Sequence, residues 1–185
     1  MIYVAAGLLV AVIVLLIVLY NGLIARRQMA NNGWADIDVQ LKRRADLVPQ
    51  LVSIVQGYAA HERQLFADIA ERRSQALAAA DDPARRGAAE TELSRPVARM
   101  IALAEGYPEL KASQNFLDLQ NQLADTENKI EMARRFYNGA VRELNTLVES
   151  FPSNFVAGLA GVGKRSFFET EMAARAAPQI NLGNP

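Results

Sequence analysis

From Met1 to Ala25 the chain carries no charged side chain, and all 20 basic and 20 acidic residues of the 185 lie beyond it. No other feature restricts the possible folds as strongly. The run IYVAAGLLVAVIVLLIVLYNGLI, residues 2–24, would form a helix of roughly 34 Å at 1.5 Å per residue, against a hydrocarbon core of about 30 Å. Tyr3 and Tyr20 stand near its two ends, where amphipathic rings favour the headgroup layer. The competing reading is a cleaved signal peptide. Against it, no Lys or Arg precedes the run, the apolar stretch exceeds the usual span of about 7–15 residues, and no clear small-x-small site follows. A retained anchor over 1–25 is the expectation. Arg26, Arg27, Lys42, Arg43 and Arg44 all follow the run. By the positive-inside rule they place the N-terminus outside and the rest of the chain in the cytoplasm, although large C-terminal domains can cross regardless of charge.

Without that run an ordinary charge-rich polypeptide remains. Its formal net charge is zero, so no global field draws in nucleic acid or a highly charged substrate, and no nucleic-acid partner is expected. The absence of cysteine excludes disulfides, thiolate metal sites and cysteine nucleophiles together.

The pattern beyond the anchor is helical. Residues 34–79 carry Trp34, Ile37, Leu41, Val48, Leu51, Val52, Val55, Tyr58, Ala59, Phe66 and Ile69 in steps of three and four. Pro49 lies inside this run, so a kink or a helix restart is expected there. Asp81 or Asp82 can cap the next helix, with Pro83 in its first turn. That helix reaches about Glu105 and is weakened by Gly87 and Pro96; Gly106 and Pro108 end it.

The third segment is the most regular. Phe116, Leu119, Leu123, Thr126, Ile130, Ala133, Tyr137, Ala140, Leu144, Leu147 and Phe151 alternate steps of three and four, a packing seam in which Thr126 alone is polar. Such a seam is either a partner-binding face or intramolecular core. Flanking amphipathic helices favour core. Phe151-Pro152 stops the helix. The fold expected is all-α: an N-terminal transmembrane helix (1–25), an antiparallel bundle of long helices (26–157), and a glycine-containing exit with an irregular tail (158–185).

Reactive constellations are sparse. His61 is the sole histidine, and HERQL resembles the zinc motif H-E-x-x-H only until Leu65 takes the second ligand's place. One histidine also cannot furnish the paired Glu-x-x-His motifs of a di-iron bundle. Carboxylates are scattered along helix faces beside basic residues. The cluster Lys42-Arg43-Arg44 reads as a solvated face, with anionic headgroups the alternative. GLAGVGKRS (158–166) spells G-x-x-x-x-G-K but places Arg165 where Mg²⁺ binding requires a hydroxyl. It also follows a proline-broken helix instead of a strand. No catalytic residue, cofactor, metal or nucleotide is therefore expected.

The strings WADIDVQLKRRADLVPQLV (34–52), GYAAHE (57–62), YPELKASQNFLDLQNQLADTENKIEMARRFYN (107–138) and VESFPSNFVAGL (148–159) resemble the LemA family of bacterial membrane proteins. The tail is similar as well, with Phe167-Phe168-Glu169 and then APQINL (177–182). The resemblance implies one N-terminal membrane helix and a cytoplasmic antiparallel bundle, and it brings no catalytic residues. Two functions follow as expectations. One is a non-enzymatic scaffold on the lipid bilayer at the cytoplasmic face of the inner membrane, self-associating through close packing at Gly7, Gly22 and Gly33. The other is a regulatory adaptor for an unidentified membrane protease or sensor.

Overall fold

A computed structural model describes residues 1–79 and 82–169. Among them are six helices: α1 (Ile2–Gln56), α2 (Arg63–Ala78), α3 (Pro83–Ala104), α4 (Pro108–Lys111), α5 (Gln114–Glu149) and α6 (Ser153–Leu159). There is no strand among the described residues. The fold is all-α, with one long apolar N-terminal helix leading into a bundle. Asp82 is the cap of α3, its Oδ1 accepting from the Ala84 and Arg85 amides at 3.0 and 3.4 Å. Asp81 and the APQINL tail lie outside the described residues.

Two compact units make up the chain. The first joins Met1–Ile37 to Glu131–Phe167; the second joins Asp38–Ile130 to Phe168 and Glu169. In the first unit, α1 is exposed on every side from Ile2 to about Val18, and burial begins at Leu23. From there a one-sided buried stripe of Leu23, Ala30, Gly33 and Ile37 follows the helical repeat, and Gly33 meets Phe136 and Tyr137 of α5. A Cβ on Gly33 would lie 3.0 Å from the Tyr137 Cα and 3.0 Å from the Phe136 ring. The lack of a side chain therefore lets the two backbones close on each other. Gly33, expected to serve contacts between copies, is instead used inside the chain.

In the second unit the core gathers Val48, Leu51 and Val55 of α1, Leu65, Phe66 and Ile69 of α2, Leu93, Val97 and Met100 of α3, Leu110 of α4, and Phe116 and Leu123 of α5. α1 runs on through Pro49 without the restart that was one of the two expectations. The proline leaves the Ala45 carbonyl without its i+4 donor. Arg73 of α2 takes that place, its Nε donating to Ala45 O at 2.5 Å. The helix stays whole because a side chain from its neighbour completes the ladder.

Candidate functional site

Tyr3 and Tyr20 are exposed, Gly7 has no atom of the chain near its Cβ position, and Arg27 is open to solvent. Arg26 differs: its Nη1 lies 2.6 Å from Glu143 Oε2 on α5. Both side chains are about half exposed, so the pair adds little stability, but it records the register of an antiparallel helix pair. Trp34 stacks obliquely on Tyr137, ring centroids 5.7 Å apart, and the Tyr137 hydroxyl donates to Ser166 O at 2.8 Å.

The seam of α5 divides between the units. Phe116 and Leu123 are buried in the second, with Leu119 half-buried beside them and Ile130 buried at the end of that stretch. Tyr137 and Leu144 are buried in the first. Phe151 is not a seam residue: it is 79% exposed. The helix ends at Glu149, and position 151 no longer obeys its periodicity. Ser153 closes this end, its hydroxyl 2.7 and 2.9 Å from the Leu147 and Ser150 carbonyls.

GLAGVGKRS leaves α6 in a turn and runs along α5. Gly161 takes φ 64°, a conformation natural to glycine. Its own amides go to Gly158 O and, from Val162, to Ala157 O. Asn145 holds Arg165 by both backbone groups at 2.9 and 3.0 Å, and Lys164 pairs with Glu149. The segment straps onto a helix. His61 is exposed in the turn between α1 and α2.

Sequence reasoning missed a buried charge layer in the second unit. Arg44 of α1 and Arg86 and Glu90 of α3 are each at most 3% exposed. Arg86 Nε donates to Glu90 Oε1 at 2.8 Å, and Arg44 Nη1 stands 3.6 Å from Glu90 Oε2. Arg44 also donates to Ser94 Oγ at 2.5 Å and lies 3.1 Å from Glu127 of α5, within ion-pair range but without hydrogen-bond geometry. Burial raises the Glu90 pKa despite the opposing pull of Arg44 and Arg86. Lys42 and Arg43 are exposed as expected, whereas Arg44 is not. A signal was present. Ile37, Leu41, Arg44, Val48, Leu51 and Val55 step by four and three, as do Arg86, Glu90, Leu93, Val97, Met100 and Ala104. The charges fill gaps in two apolar stripes.

One exposed apolar helix, a helical bundle with no strand among the described residues, and buried charges that pair with one another define a membrane-associated helical protein. No group of three or more potential metal ligands occurs among the described residues. Residues 33–182 match the LemA family, and the chain belongs to it. It is 20% identical to Magnetosome protein MamQ of Magnetospirillum gryphiswaldense, over 89% of this chain and 70% of that protein. Two further proteins, MamQ 1 and MamQ 2 of Paramagnetospirillum magneticum, are 21% identical over the same shares.

Proposed function

We propose that the protein is a non-enzymatic scaffold, anchored by α1 in the bacterial inner membrane with its bundle at the cytoplasmic face, and that copies associate through the anchor. The observation that carries this reading is the passage of an all-round apolar helix, without a loop, into a helix paired with α5. A load on the bundle therefore reaches the bilayer through continuous hydrogen-bonded backbone. The relatives are named for a cellular structure, the magnetosome, and not for a reaction, which supports a structural role. Arg26, Arg27, Lys42, Arg43 and Arg44 follow the span and support the cytoplasmic side. A reporter fused after Pro185 should be active only in the cytoplasm; activity confined to the outer side would reverse the orientation. The adaptor reading draws on Met132 and Phe136, apolar and exposed one turn apart on α5. An adaptor would stay small in solution until its partner was supplied.

A further inference from the structure

In the first unit the register of α1 against α5 fixes how near to the bilayer the far end of α5 comes. Arg26 meets Glu143, and Gly33 meets Phe136 and Tyr137. The helices are antiparallel with equal rise, so each step toward the C-terminus of α5 matches one toward the N-terminus of α1. Glu149, six residues past Glu143, is thus level with Tyr20, six residues before Arg26. Tyr20 stands near the end of the apolar run, which reaches Ile24, at the depth where a tyrosine ring marks the interface. The corner that follows Glu149 therefore sits at the bilayer surface or within it.

That corner is apolar on its outer side. Phe151 is 79% exposed, Phe155 66% and Leu159 90%. Single exposed apolar side chains are ordinary, but three on one corner are not. The short helix α6 is two-faced: Ser153, Val156 and Ala157 are buried, while Phe155 and Leu159, one turn apart, point away. Phe151 and Phe155 form an edge-to-face pair with centroids 6.0 Å apart, a single ring surface presented outward.

We propose that the α5–α6 corner is a second membrane contact, with Phe151, Phe155 and Leu159 inserted in the interfacial layer of the bilayer that α1 crosses. The occupant is phospholipid, because the patch is continuous in depth with the end of the span. Two contacts hold the helix pair upright on the membrane, where a lone helix could tilt. The inference rests on α1 spanning the bilayer, and it holds on whichever side the bundle lies.

The natural absence of cysteine makes the test direct. Single cysteines replace Phe155, Leu159, Leu8 or Met132 in the full chain, each carrying a nitroxide. The protein is placed in vesicles of phosphatidylethanolamine and phosphatidylglycerol. Collision with oxygen, enriched in lipid, is compared with collision with a water-soluble nickel chelate. Met132, exposed on α5 about 25 Å further from the bilayer by helical rise, is the aqueous reference. Labels at Phe155→Cys and Leu159→Cys should show an oxygen-to-nickel ratio several-fold above Met132→Cys, approaching that of Leu8→Cys. Nickel-accessible corner labels beside a lipid-exposed Leu8→Cys would overturn the second contact and leave the anchor standing. A water-exposed Leu8→Cys would overturn both. Corner labels shielded from both reagents would mean that protein covers the patch, and would also sink the proposal.

Discussion

Arg44, Glu90 and Thr126 occupy positions on α1, α3 and α5 where the packing repeat otherwise brings an apolar side chain. Buried charges such as Arg44 and Glu90 add little net stability, but they restrict which faces can meet. Glu90 makes the cost measurable. Burial holds its carboxyl above the usual range, so the folded chain binds that proton more tightly than the unfolded chain does. Its contribution to stability is complete below the ordinary carboxylate pKa and is lost as pH rises through the raised one. Glu90→Gln should therefore gain on the native protein as pH is taken from about 4 to about 8, in melts of the full chain in detergent. A difference in melting temperature that ignores pH would show that Glu90 titrates as an ordinary carboxyl. Gly87 presents a steric case. A Cβ there would run into the Glu169 carbonyl oxygen, so Gly87→Ala must displace backbone. A loss of about 1–3 kcal/mol in denaturant titrations is expected, as for other overpacked sites. No loss would mean that the Phe168–Glu169 segment is not seated on α3.

At the scale of the element, most of the architecture was legible in the sequence. The seam Phe116–Leu144 and the cap at Asp82 follow from spacing and side-chain chemistry, and α5 carries the spaced positions as far as Leu147. What could not be read depended on partners distant in sequence. Pro49 predicts a kink or a restart, and the helix runs on with no restart where Arg73, on another helix, donates to the Ala45 carbonyl. Arg44 looks solvated beside Lys42 and Arg43 until Glu90 and Ser94 are brought to it. Phe151 continues the repeat on paper, yet its helix has already ended. The first of these has a test. Arg73→Leu leaves a carbonyl in the middle of α1 without its donor and should cost about 1–3 kcal/mol. An unchanged melting temperature would mean that water serves as well. For the seam, Ile130→Ala should cost on the order of 2–4 kcal/mol through the cavity it leaves, with no change in the mass of the assembly. A loss of assembly without loss of stability would make the seam a face for a partner.

Two features govern the behaviour of the whole molecule: an apolar helix open on every side and a bundle whose own seams are largely filled. On the proposed scaffold reading, association in lipid falls to the exposed helix, where a Cβ on Gly7 or Gly22 would meet no other helix and would leave room for close approach. The most direct test of the scaffold is the mass of the full-length protein in a mild detergent, by light scattering corrected for bound detergent, alongside Gly7→Leu and Ile130→Ala. The native chain should run as a multiple of its 20.3 kDa, Gly7→Leu should reduce that multiple, and Ile130→Ala should keep it. A native protein of single-chain mass, or an oligomer indifferent to Gly7→Leu that Ile130→Ala dissociates, would contradict the account.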